Sequence, residues 1–162
     1  MSNVSLRDEH PQQPWKRVRP EIRMSNQRSA LLAPALEVDP TEVRWFFIAD
    51  YHDSPISGLA TFRERIFRFC CFPEDLPDQH LYVLHALTPE ELADELRMKQ
   101  AFEDSVGTHW SFDEAGRPLP EFQAPAEVSK AYYDAWKPLP SPHPSDRPIV
   151  AWFDTFTRAL TS

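Results

Sequence analysis

Glycine is nearly missing from this chain: three residues in 162, at positions 58, 107 and 116. That scarcity removes whole classes of function. Neither a phosphate-cradling nucleotide loop nor a dinucleotide fingerprint can be built, because both need closely spaced glycines to bring backbone N–H groups onto a phosphate. A Gly-x-Ser-x-Gly nucleophile elbow is absent for the same reason. Cysteine is as scarce. Cys70 and Cys71 are adjacent, in a segment with strand character, so their side chains point to opposite faces and a bridge between them is disfavoured. With no third cysteine there is no disulfide framework, and a reducing compartment fits the composition. No apolar run approaches the roughly 18 residues of a membrane-crossing helix. The start, Met1-Ser2-Asn3-Val4, shows no basic stretch leading into an apolar one, so no secretory signal is expected. These absences together point to a cytoplasmic protein with no membrane partner.

What the chain does contain is proline and aromatic side chains: 17 Pro, 11 Phe, five Trp and four Tyr, within 41% apolar and 26% charged residues. The composition is that of a globular domain with many rigid turns. Charge is uneven. Residues 1–40 carry six basic and five acidic residues, whereas residues 41–162 carry 11 and 20, for a chain total of -8. Phosphate repulsion argues against nucleic acid as a ligand of the acidic part, which favours solubility or a basic protein partner.

The pattern divides the chain into an extended Pro-rich arm over 1–40 and a single acidic α+β domain over 41–162. The arm is partly basic, with Trp15 beside Lys16, Arg17, Arg19 and Arg23, a composition suited to nucleic acid or an acidic neighbour in an accessory-subunit role. Ala30 to Ala33 can form a short helical turn before Pro34. In the domain, Val43, Trp45, Phe47, Ala49 and Tyr51 alternate with Arg44, Phe46, Ile48 and Asp50. Apolar residues on both faces predict an inner strand covered on each side. Further strands are expected over 59–62, 66–72 and 80–87, with Phe67, Phe69 and Cys71 on one face. The Arg63-Glu64-Arg65 connection lacks the glycine of a tight hairpin. Thr88-Pro89-Glu90-Glu91 opens a helix to about residue 105, with a Thr cap, Pro at the first position and Glu three residues after the cap. The irregular stretch 108–125 carries Trp110, Phe112 and Phe122, expected to pin it to the core. Val128, Ala131, Tyr132, Ala135 and Trp136 recur with helical period over 126–136. Beyond a proline-rich linker, Ile149 to Leu160 fits a helix, preferred to a strand. The expected fold is a small, mainly antiparallel sheet of about four strands with two or three helices packed on it.

Candidate chemistry is sparse. Asp50, His52 and Asp53 sit at a strand end and, with His80 or His85, are the material for a metal-dependent hydrolase. The spacing lacks His-x-His and His-Glu-x-x-His, and ordinary turn chemistry accounts for Asp-Ser-Pro. Cys70 and Cys71 lie mid-strand, where a thiol acts as a small hydrophobe. Ser105 and His109 straddle a helix end. The acid pairs Glu90/Glu91, Asp94/Glu95 and Glu103/Asp104 read as a solvated helix face or a docking surface, since a catalytic carboxylate needs burial to shift its pKa. No catalytic residue and no cofactor is assigned. The residues expected to meet a partner are Glu74, Asp75, Asp78, Glu90 and Asp94.

Trp45-Phe46-Phe47-Ile48-Ala49-Asp50-Tyr51-His52-Asp53-Ser54-Pro55-Ile56-Ser57-Gly58-Leu59-Ala60, followed by Phe62 and Ile66-Phe67-Arg68-Phe69, resembles a strand-turn-strand pattern of small bacterial proteins similar to the immunity proteins that neutralise toxins in interbacterial competition. The similarity covers about 30 residues and concerns scaffold, so it carries over no site residue. Arg63-Glu64 stands where that pattern has glycine. The resemblance implies a non-catalytic inhibitor-like protein that binds another protein.

Overall fold

The computed structural model describes residues 30–52, 54–72, 80–137 and 142–155. The architecture is α+β: a six-stranded, mostly antiparallel sheet with helices packed on it. The strands are β1 (Leu36–Glu37), β2 (Val43–Tyr51), β3 (Pro55–Phe62), β4 (Arg65–Cys71), β5 (His80–His85) and β6 (Ala151–Thr155). The helices are α1 (Pro89–Ser105) and α2 (Ala126–Ala135), with 3-10 turns at Pro40–Glu42 and Pro144–Asp146. The sheet order is β1-β6-β5-β4-β3-β2, and only the β1/β6 pair is parallel. Among the described residues no helix is long and apolar enough to cross a membrane.

Two strands exceed the expected four. Leu36–Glu37, inside the stretch read as an arm, pairs with β6, and neighbouring Val38 is buried in the main core. Leu32, at the end of a helical turn, is buried against Cys70, Phe72, Leu81 and Val83. The packed region therefore begins before Thr41. The second addition replaces the helix favoured after Ile149. Residues Ala151–Thr155 pair along β5, with Ala151 and Phe153 in the main core and Trp152 on the opposite face. Strand pairing on both sides of β6 outweighs the helical period, which is a weak local preference.

β2 is not an inner strand; it ends the sheet. Its free edge is covered by the chain at 110–112, where the Ile48 N–H donates to Trp110 O and the Phe112 N–H to Phe46 O, each at 3.0 Å. Its double-sided apolar character has another cause. The β2/β3 register shifts between Trp45 and Phe47 and again after Ile48, and each bulge reverses which face the following residues address. Trp45 thus packs on the main core, whereas Phe46 and Phe47 join Leu59, Phe102 and Trp110 on the other side.

The main core is aromatic. Phe69, Tyr82 and Phe153 are fully buried, with Tyr82 stacked on Phe153 at 5.3 Å and Trp45 4.5 Å from Phe69. Trp45 also lies 6.5 Å from Phe153, although β2 and β6 stand four positions apart in the order. At about 4.8 Å per strand, a flat sheet would hold them roughly 19 Å apart. The sheet is therefore strongly curled, and these rings fill its concave side.

The opposite side receives α1. Its capping box forms as read from the sequence: Thr88 Oγ1 accepts from the Glu91 N–H at 3.1 Å and Glu91 Oε1 accepts from the Thr88 N–H at 2.9 Å. Phe102 meets Phe47 at 5.7 Å, and Arg68 on β4 pairs with Glu95 at 2.7 Å. Glu103, expected on the solvated face, is buried against Lys99 at 2.6 Å, with the ammonium over the Phe46 ring. The β3–β4 hairpin closes tightly without glycine: Arg63 and Glu64 both adopt positive φ, 51° and 64°.

Candidate protein-binding surface

The stretch after α1 folds back on itself because Gly107 lets two backbone segments approach. Its φ is +154°, and a Cβ there would stand 2.6 Å from Phe122 O. The Thr108 N–H donates to Phe122 O at 3.0 Å, the Ala124 N–H to Val106 O at 3.0 Å, and Thr108 Oγ1 both donates to Pro120 O and accepts from the Phe122 N–H at 2.9 Å. This ladder orients Phe122 outward, where it is 48% exposed. The expectation that Phe122 pins the loop to the core is not met. Trp110 and Phe112 do lie against the fold, half-buried.

α2 follows from Pro125, which supplies no side-chain cap. The helix is held by Ser129 Oγ donating to Ser105 O at 3.2 Å and by Tyr132 packed edge-on to Phe102 at 6.0 Å. None of its residues is buried. Val128, Tyr133 and Trp136 are 40%, 51% and 54% exposed. Ring contacts continue from α2 through Phe102, His109 and Trp110 to the exposed Tyr51 at the end of β2. Between α2 and the folded-back chain runs a groove of about 460 Å³ lined by Val106, His109, Glu121, Phe122, Gln123 and Ser129. Helical period made α2 legible as an amphipathic helix. It did not show that most of the apolar stripe would stay in solvent, because exposure depends on what the fold brings against it.

The acids named from the sequence divide three ways. Glu90 and Asp94 are exposed on α1, with Asp94 paired to Arg97. Glu74, Asp75 and Asp78 lie outside the described residues. Glu91 instead clamps the chain at 147: Arg147 grips it bidentately at 2.9 and 2.6 Å and also donates to Ala86 O. The Arg147 guanidinium and the Thr88 N–H hold the Glu91 carboxyl at about 2, below its ordinary 4.5. A depressed carboxylate pKa means that the unfolded chain binds the proton first. The clamp's contribution to stability is thus complete above pH 4.5 and lost as pH falls toward about 2. In urea unfolding at pH 7 and pH 3, Arg147→Gln is expected to lower the midpoint at pH 7 and to differ less from the parent at pH 3. A difference independent of pH would show that the pair does not act through Glu91 ionisation.

The metal candidates do not assemble. Asp50 is half-buried near the end of β2, His52 is exposed beyond it, and Asp53 lies outside the described residues. His80 and His85 belong to β5, separated from β2 by two strands. His85 is buried and donates Nε2–H to Pro144 O at 3.0 Å. Burial, with the charges of Arg147 and Arg68, lowers its pKa and keeps the ring neutral. Among the described residues no three His, Cys, Asp or Glu side chains converge as a metal site would require. Cys70 and Cys71 point to opposite faces, into different clusters. Burial pushes the Cys70 thiol up to about 12, so it stays protonated and unreactive at neutral pH. His109 lines the groove, and among the described residues no hydrogen bond joins the Ser105 hydroxyl to its ring. No protein-family model matches this chain, and neither a curated protein nor a solved structure matches it significantly.

Proposed function

We propose that this protein is a non-catalytic protein-binding module, immunity- or inhibitor-like, that works in the cytoplasm and engages a basic partner through the surface around α2. The observation that carries the reading is a helix with no buried residue, which leaves Val128 and Tyr133, and Trp136 at its C-cap, in solvent, next to a groove lined by its own Ser129 and the exposed Phe122. Aromatic side chains exposed together are the usual centre of a protein interface, where Trp and Tyr contribute most of the binding energy. The surrounding charge defines the partner. Residues 101–137 carry seven acidic and three basic residues; with Glu103 buried on Lys99 and Glu114 in another groove, five acids remain, and an acidic rim steers and selects a positively charged surface. The exposed Glu90 and Asp94 of α1 extend the same sign of charge.

A photo-crosslinking residue placed at Tyr133 in the native host tests this. It is expected to capture one basic protein, whereas the same residue at Arg63, on the distant β3–β4 hairpin, is expected to capture none. Trp136→Ala should weaken the complex by about tenfold or more while leaving the far-UV spectrum and Tm unchanged, since Trp136 is 54% exposed. Equal capture from both positions, or capture indifferent to Trp136→Ala, would overturn the reading.

A further inference from the structure

We infer that the groove beside α2 receives an arginine side chain of the basic partner, with Glu121 as its counter-charge; this rests on the protein-binding function proposed above. Of the acids between 101 and 137, four are already engaged within the chain. Glu103 is held by Lys99, Asp104 by Gln100, Asp113 by Arg117 and Asp134 by Lys130. Glu127 points from the exposed surface of α2, and Glu114 lines a different groove with Arg44 and Arg63. Glu121 alone of these lines the α2 groove, and it makes no hydrogen bond or ion pair with a described residue. Its carboxylate is therefore available to an incoming cation without breaking an existing contact.

The rest of the lining suits a long cationic side chain. Val106 is a buried apolar floor and the exposed Phe122 ring is a wall, so the methylene stem has apolar surface to cover. The head then lies between an aromatic face and a carboxylate. Arginine fits this pairing better than lysine because its planar guanidinium stacks on a ring and presents two parallel N–H groups to a carboxylate, whereas an ammonium is a strongly hydrated point charge. The Gln123 side chain adds a carbonyl acceptor at the same lining.

Titration of the isotope-labelled full-length protein with the capped tripeptides acetyl-Gly-Arg-Gly-amide, its lysine counterpart and its citrulline counterpart tests the assignment. Citrulline keeps the shape of arginine and removes the charge. The arginine peptide is expected to shift the backbone amides of Val106, His109 and Gln123, the lysine peptide more weakly, and the citrulline peptide not at all. Glu121→Gln should weaken arginine binding at least about fivefold, whereas Glu64→Gln, on the exposed β3–β4 hairpin, should leave it unchanged. Equal shifts from citrulline, shifts that survive Glu121→Gln, or shifts spread along α1 instead of the groove would each overturn the proposal. A partner that crosslinks at Tyr133 but ignores Glu121→Gln would leave the binding function standing and remove the groove from it.

Discussion

Gly58→Ala is expected to prevent this protein from folding stably, with a loss of about 4 kcal/mol or more. Gly58 sits in β3 opposite Ile48, between the first two of the three register shifts of β2. The bulged strand is pressed so close that a Cβ at Gly58 would stand 2.0 Å from Phe47 O and 2.9 Å from Ala49 N. Both are backbone atoms of a paired strand and cannot turn aside as a flexible side chain would. The φ of +155° adds strain for any residue with a Cβ. Gly116→Ala is the matched control. Its φ of +84° is also unfavourable, but the added methyl would meet Arg44 Cβ at 2.9 Å from a turn outside the sheet, which can shift by a few tenths of an ångström without breaking strand pairing. A loss of about 1–2 kcal/mol is expected there. Chemical unfolding followed by tryptophan fluorescence distinguishes the two. A Gly58→Ala protein as stable as Gly116→Ala would mean that β2 is not bulged against β3 as described.

Phe153→Ala tests how the sheet closes. Phe153 is 1% exposed, stacked on Tyr82 and within 6.5 Å of Trp45. Its ring joins a strand near one edge of the sheet to the strand at the other. Removing a buried aromatic side chain costs roughly 3–5 kcal/mol through lost burial and the cavity left behind. For a domain of this size that corresponds to a fall in Tm of about 10 °C or more. Trp45 should also report the change, by a red shift of its emission as water gains access to the concave side. A loss below about 1 kcal/mol with unchanged emission would show that Phe153 does not bridge the curled sheet.

Much of the scaffold is legible in the sequence. Thr88, Pro89 and Glu91 specify the start of α1 because the capping bonds form between residues three apart. The alternation of Phe67, Phe69 and Cys71 against Ile66, Arg68 and Cys70 predicts opposite faces, and the two sets do pack into different clusters. The same alternation misled in β2, because the bulges that reverse it arise from the close approach of β3 at Gly58. The candidate site was harder to read. The exposed acids Glu90 and Asp94 could be named from charge alone, but Glu91 and Glu103 looked identical to them. Only the positions of Arg147 and Lys99 show that those two serve the fold.

The sequence by itself determined what the chain excludes, where α1 and α2 begin, and which residues of the unbulged β4 share a face. Each of these depends on composition or on neighbours a few positions apart. Tertiary structure decided that Leu36–Glu37 and Ala151–Thr155 complete the sheet, that β2 ends it, and that α2 keeps its aromatic residues in solvent. The physical reason is common to all three. Strand pairing and burial are set by surfaces far apart in the chain, and a periodic pattern records only that a residue is apolar, not whether anything comes to cover it.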